Sequence, residues 1–375
     1  MSRRPYPWTE AIAGAGLFLG CFALVHLWFW GHGQLVDWPT YQRYGSAVVD
    51  QGRVPYRDFA VEYPPGALPV FVAPTIAGTY STTFAWLMAG CGVLLVGVLT
   101  AVRREAAVYA ALAPILVGSL ILSRFDLWPA LLATAALASL LADRHRLGWA
   151  LLGAAVAAKL WPFVLVPPAL VWSVRRGRPR SALAGAAVVA LAFVPFAVVA
   201  PGGLWHSVQG QLSRPLQIES LGAAFATTFG HPHVVSSHGS QNVTGLGPVG
   251  ALLGVVALLA VVGVWFSFWR GAATPERLVR HAAAAVAAFV AFDKVLSPQY
   301  LLWLIPLVPL VRGVRGVIAS AVLTVACVLT QVWFPLRYWS YVYGFHLAWV
   351  VLLRDVVLVL LFAVLVAPQP RALRR

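Results

Sequence analysis

The amino-acid sequence predicts an all-α, polytopic integral membrane protein, and three observations carry that prediction. Of the 375 residues 60% are hydrophobic and only 10% are charged, far from the roughly 25% charged residues of a soluble domain, and mean hydropathy is +0.80. Apolar stretches recur along the chain, including 11–30, 84–102, 181–200, 247–269 and 345–366, each close to the about 20 residues that cross a bilayer as a helix. Basic residues cluster between such stretches, as expected of loops kept on one side of a membrane.

Each element follows from these. The first apolar stretch, behind Arg3 and Arg4, resembles a signal peptide, but it is long and no A-x-A-like cleavage site follows, so it reads as a retained span. No soluble domain of useful size fits between the stretches, and residues 1–375 read as a single transmembrane domain. Cys21, Cys91 and Cys327 lie far apart inside apolar stretches, which argues against disulfides and a metal cluster.

The net charge of +15 would suggest nucleic acid in a soluble protein. Here the positions of the charges decide otherwise. Arg3 and Arg4, Arg103 and Arg104, Arg144 and Arg146, Arg175 to Arg180, Arg270 to Arg280, Arg312 and Arg315, and Arg371 to Arg375 hold 18 of the 27 basic residues. Placing them all in the cytoplasm satisfies the positive-inside rule, with the N-terminus inside and no nucleic-acid partner. The opposite side then receives a first extracytoplasmic loop at 31–66, the turn at 123–126, a second large loop at 201–246 and the aromatic turn RYWSYVYG. Asp37, Asp50, Asp58, Glu62, Asp126, Glu219 and Asp293, seven of the 12 acidic residues, fall at or near that side. A functional site is expected there.

Two passages are too short for full spans. Between Arg146 and Arg175, and between Arg280 and Arg312, about 30 residues must go out and back, each as a pair of short helices. The breaks are expected at Lys159-Leu-Trp-Pro162 and Asp293-Lys-Val-Leu-Ser-Pro298, where proline removes a backbone donor, and broken helices at membrane depth face polar cavities. Segment 66–80 is proline-rich and reads as juxtamembrane or re-entrant. Trp28, Trp30, Trp38, Trp205, Trp333 and Trp339 sit where interfacial anchors belong.

Against 25 arginines there are only two lysines, Lys159 and Lys294, both at the expected breaks. A compact ammonium there suits a phosphate, whereas snorkelling, or pairing of Lys294 with Asp293, is the competing reading. Arg124 and Asp126 share a tight turn, either as a local ion pair or with the Arg124 fork free for phosphate oxygens. Asp37, flanked by Val36 and Trp38, is a carboxylate whose partial desolvation would suit a general base, or an ordinary solvated aspartate. In VPYRDFAVEYPPG, Asp58 and Glu62 would share a face if the stretch were helical, and could bind sugar hydroxyls or simply face solvent. His206, His231, His233 and His238 match no zinc spacing, and no metal or cofactor is expected. Asn242-Val-Thr is a weak glycosylation match. Adjacent Arg354 and Asp355 point about 100° apart on a helix, so a mutual pair is not assured.

Taken in order, Asp37 after the first span, G-x-x-P-Y-R-D-F…E-Y-P-P, S-R-F-D, A-A-K-L-W-P and K-V-L-S-P-Q-Y-L-L-W resemble glycosyltransferase family 87, over residues 37 to about 303. The resemblance implies a C-type glycosyltransferase bundle of about 10–13 transmembrane or re-entrant helices. It also implies an inverting transfer of a hexose, most often mannose, from a polyprenyl-phosphate donor to an outer lipid or glycan acceptor. Asp37 would be the general base, with Arg124, Lys159 and Lys294 on the donor phosphate; Arg57, Asp58, Glu62, Tyr63, Asp126, Ser297, Gln299 and Tyr300 would contact substrate. The rival class is a transporter or flippase for a lipid-linked sugar, since broken helices around midplane charges describe transporters too.

Overall fold

The computed structural model describes residues 6–29 and 37–368. Arg3, Arg4, Trp30 and Arg371 to Arg375 lie outside the described residues, as does the start of the first loop. The described chain is all-α apart from three short strands. Six of its helices are long and apolar enough, by length and composition, to cross a membrane: Trp8–Phe29, Tyr80–Val102, Pro179–Val199, Gly247–Arg270, Gly313–Trp333 and Ala348–Val366. Shorter helices, Leu127–Leu141, His145–Ala158, Val166–Arg175 and Pro275–Phe292, run between them.

Successive helices alternate in direction, and this sorts the charges. Arg103 donates to the carbonyls of Pro309 and Val311, Arg175 to those of Trp269 and Gly271, and Arg315 to that of Ala367, while Arg104 pairs with Glu10. These are the helix termini of one end of the bundle. Asp37, Arg124, Lys159, Asp293, Lys294 and Tyr338 line a cavity at the other end. Helix Pro179–Val199 is almost wholly outward-facing, with Leu183, Leu191 and Val198 exposed where lipid would lie.

Both expected breaks are present. Lys159 ends the helix His145–Ala158 in extended backbone, φ −158° and ψ 143°, before a 3-10 turn Trp161–Leu165 leads into Val166–Arg175. Helix Pro275–Phe292 ends at Asp293, and the chain stays open until Pro298–Tyr300; Ser297 is held extended by the proline after it. The alanines at 282–285, 287 and 288 are buried, and such small side chains let neighbouring backbones approach closely. Gly153 and Gly185 serve the same end, since a Cβ on Gly153 would run into the Gly185 backbone and one on Gly185 into the backbone of Trp149.

Two expectations are corrected. Trp333 is not an interfacial anchor but is fully buried against Tyr338 and Tyr341, with the Arg354 guanidinium 5.6 Å from its ring centroid. Arg354 and Asp355 do pair, Nε to Oδ1 at 2.6 Å, although adjacent on their helix, and both are fully buried. Arg354 Nη2 also donates to the Glu219 carbonyl at 2.8 Å, tying the second large loop to the last helix.

A charge left alone in such a site is far more costly than a pair removed whole. Arg354→Leu is therefore expected to destabilise the protein by about 3–5 kcal/mol, and Arg354→Leu with Asp355→Leu by less, as measured by thermal unfolding in detergent. Equal losses in the two variants would show that the pair is not the source of the effect.

Candidate active site

The cavity has a volume of about 670 Å³. It is assembled from both helix breaks, the turn before Leu127, the helix Trp38–Val49 and the segment after residue 210. Behind its wall lies Asp126, which is 0% exposed and, against the expectation of a substrate contact, does not line the cavity. Asp126 Oδ1 accepts from Lys159 Nζ at 2.6 Å and from Trp303 Nε1 at 2.7 Å. The Lys159 ammonium also lies 4.8, 5.2 and 5.7 Å from the ring centroids of Phe125, Trp303 and Tyr300, an arrangement whose ring quadrupoles attract a cation. Tyr300 and Trp303 stack at 3.8 Å, and Trp161 stacks on the other side at 5.0 Å. Lys159 is thus fixed at the cavity wall by one carboxylate and a set of aromatic faces.

Arg124 and Asp126 do not pair with each other. Arg124 is extended, φ −119° and ψ 138°, while Asp126 begins the helix Leu127–Leu141, so their side chains diverge. Buried Arg124 forms an ion pair with Asp37, whose Oδ2 also faces the Tyr41 hydroxyl at 3.4 Å. The result is two crossed pairs, Arg124 with Asp37 and Lys159 with Asp126. Arg124 Nε has no partner among the described residues.

Lys294 lines the cavity and donates to the Leu212 carbonyl at 3.1 Å, with Asp293 capping Val295 N at 3.2 Å. Ser297 Oγ meets Gln217 Nε2 at 2.8 Å. Glu62, Tyr63, Gln299 and Tyr300 are in the wall. Arg57 and Asp58 are not: they pair with each other at 2.9 Å in an exposed turn. The hydrogen bonds from Arg57 and from Val54 N hold the Asp58 carboxyl down at about 2. Because this stretch is a turn and not a helix, Asp58 and Glu62 share no helix face.

A family model, that of glycosyltransferase family 87, matches residues 59–298, well over half of the chain. The chain belongs to this family. The crystal structure of ArnT from Cupriavidus metallidurans in the apo state is similar at a TM-score of 0.49 and 17% identity, over 95% of this chain and 78% of that one. No curated protein matches the chain significantly.

The cavity also contains residues to which sequence reasoning gave no role in a site: Arg43, Arg214, Gln217, Glu219, Tyr338 and Trp339. Three of the six, Arg214, Gln217 and Glu219, come from the second large loop, which is threaded into the bundle. Its strands Leu216–Gln217, Val234–Ser237 and Ser240–Val243 form an antiparallel sheet in which the third lies between the other two. The hairpin turns at His238 and Gly239, φ +52° and +66°, the positive pair a tight type I′ turn requires. That turn sets Ser240 and Gln241 in the cavity wall, and Arg214 Nη2 donates to the His238 carbonyl at 2.9 Å and to Ser240 Oγ at 3.3 Å. Asn242 is buried, with Nδ2 on the Ser237 carbonyl at 2.7 Å, so its side chain is not a free glycosylation acceptor.

Glu219 is 2% exposed. Burial pushes its carboxyl up to about 7, against the pull of its own backbone N–H, of Arg354 and of hydrogen bonds from Gln217 and Tyr338. A folded-state value above the ordinary 4.5 means that folding favours the protonated form. The corresponding stability is fully present below about pH 4.5 and is lost as pH rises through about 7. Relative to Glu219→Gln, wild type is therefore expected to lose thermal stability between pH 4.5 and 7. A melting-temperature difference that stays flat across that window would exclude this account.

Proposed function

We propose that this membrane glycosyltransferase moves a hexose, mannose as the leading candidate, from a polyprenyl-phosphate donor to an extracytoplasmic glycolipid or envelope-glycan acceptor. The observation that carries the reading is the Asp37–Arg124 pair in the cavity wall beside Lys159. An inverting transfer needs a carboxylate to take a proton and cations to take up the charge of a departing phosphate, and these three residues supply both.

In the step itself, the acceptor hydroxyl oxygen forms a bond to the anomeric carbon while the bond from that carbon to the phosphate oxygen breaks. The hydroxyl proton passes to Asp37, and the bonding electrons leave on the polyprenyl phosphate, which gains one negative charge. Cations that are already in place stabilise that developing charge without reorganising. Arg124 is well suited because its planar fork binds phosphate oxygens in pairs. A donor phosphate that draws Arg124 away from Asp37 would also release the carboxylate for its role as base. Lys159 adds a charge whose position Asp126 fixes, and Lys294 lies in the same wall.

The arginine clusters of the opposite end support a cytoplasmic placement of that end and an extracytoplasmic cavity. On this topology a cysteine at exposed Ser236 reacts with a membrane-impermeant maleimide on intact cells, and one at exposed Arg146 does not. The native Cys21, Cys91 and Cys327 are buried and stay silent. The reverse labelling pattern would invert the topology.

The decisive assay is transfer by purified protein in nanodiscs, from polyprenyl-phosphate mannose to an envelope-lipid extract. Asp37→Asn is expected to lower kcat by roughly 10²- to 10⁴-fold, the usual contribution of a positioned base, with donor binding retained. Wild type that transfers no sugar from a panel of such donors, yet moves labelled lipid between leaflets, would replace the enzyme with a transporter.

A further inference from the structure

We infer that Glu219 recognises the transferred sugar, its buried carboxyl hydrogen-bonding one ring hydroxyl of the donor; the inference rests on the glycosyl-transfer reading above. Glu219 lies in the cavity wall, yet its Oε2 has no hydrogen-bond partner among the described residues. A buried polar atom without a partner is costly and rare, and needs a specific explanation. In a cavity wall, a ligand hydroxyl is that explanation.

Position narrows the ligand. Glu219 and Arg124, the cation proposed to hold the donor phosphate, line the same cavity. The sugar is bonded directly to that phosphate, so a group beside the phosphate site is beside the sugar. Tyr338 and Trp339, in the same wall, offer aromatic faces to the apolar C–H surface of a hexose.

The backbone that carries the carboxyl is also held in place, as recognition requires. The Glu219 carbonyl takes the Arg354 hydrogen bond at 2.8 Å. On the preceding residue, Ile218 N donates to the Gln241 carbonyl at 3.0 Å and Ile218 O accepts from the Tyr341 hydroxyl at 2.7 Å. Gln217 N in turn donates to the Lys294 carbonyl at 3.0 Å. A rigid polar group of this kind discriminates strongly, because a substrate lacking the matching hydroxyl leaves it unpaired. Asp37, in contrast, is more exposed and already paired, as suits a group that must exchange a proton.

The test compares polyprenyl-phosphate mannose with its 2-, 3-, 4- and 6-deoxy analogues as donors for wild type, Glu219→Ala and Glu219→Gln. Wild type is expected to lose roughly 10- to 100-fold in kcat/KM on one analogue, the cost of leaving a buried polar group unpaired. Glu219→Ala loses a similar factor on the intact donor and nothing further on that analogue, while Glu219→Gln, which keeps a carbonyl acceptor, falls between. If Glu219→Ala slows every donor by one common factor, Glu219 has only a structural role and the inference is overturned. The same holds if wild type ignores all four deletions. Wild type that transfers from no sugar donor at all is a different outcome, the failure of the glycosyl-transfer reading itself.

Discussion

The cavity depends on one buried carboxylate. Asp126 is out of contact with solvent and holds Lys159 from one helix break and Trp303 from the segment after the other. An ammonium at membrane depth costs several kcal/mol unless it is paired, so Lys159 can end its helix there only because Asp126 meets it. Trp303 then brings Tyr300 and Trp161 into the stack that surrounds the ammonium. Asp126 and the Trp161–Trp303 stack together join the two breaks, and with them the walls that the breaks contribute.

Ionised groups are handled differently at the two ends of the bundle. At the arginine-rich end, guanidinium groups bond to carbonyls left open at helix termini, which is where such donors belong, and the carboxylates they also meet, as in Arg103 with Glu105 and Arg176 with Asp143, are exposed. At the cavity end they meet carboxylates: Arg124 with Asp37, Lys159 with Asp126, and deeper in the bundle Arg354 with Asp355. The pairs differ in what surrounds them. Arg354 and Asp355 are sealed and can only be structural, whereas Asp37 keeps contact with the cavity and can exchange its partner for a ligand. The proposed donor phosphate needs cations held close without being permanently neutralised, and the Asp37–Arg124 pair fits that need.

How much of this was legible in the sequence follows from the range of the forces involved. Spans and helix breaks are local consequences of hydropathy and of proline, and the isolation of two lysines among 25 arginines pointed to both breaks. Partners were not legible. Arg124 and Asp126 are two residues apart, which suggested a pair, but the backbone turn separates them, and each finds its partner far along the chain in Asp37 and Lys159. The turn at 53–63 was open to a helical reading until the positive φ of Tyr56 and the Arg57–Asp58 pair removed it. No role was assigned to Arg214, Glu219 or Tyr338, because their meaning comes entirely from long-range packing; Glu219 carries no local motif beyond being an acid in a polar loop.

That loop alters how the site should be understood. Residues 201–246 have the composition of a surface connection, yet Leu216 and Ile218 are buried, and hydrogen bonds tie 217–219 to Lys294, Gln241, Tyr341 and Arg354. A segment bonded to the second helix break and to the last helix cannot move without disturbing both. The wall that faces the ligand from this loop is therefore as rigid as the wall built from the helices, and substitutions within the loop can change the pocket while the crossed ion pairs beneath stay in place. On the proposed reading, chemistry and selectivity belong to separate layers of the same cavity: the helix breaks and the turn before Leu127 hold the cations, and the threaded loop shapes what reaches them.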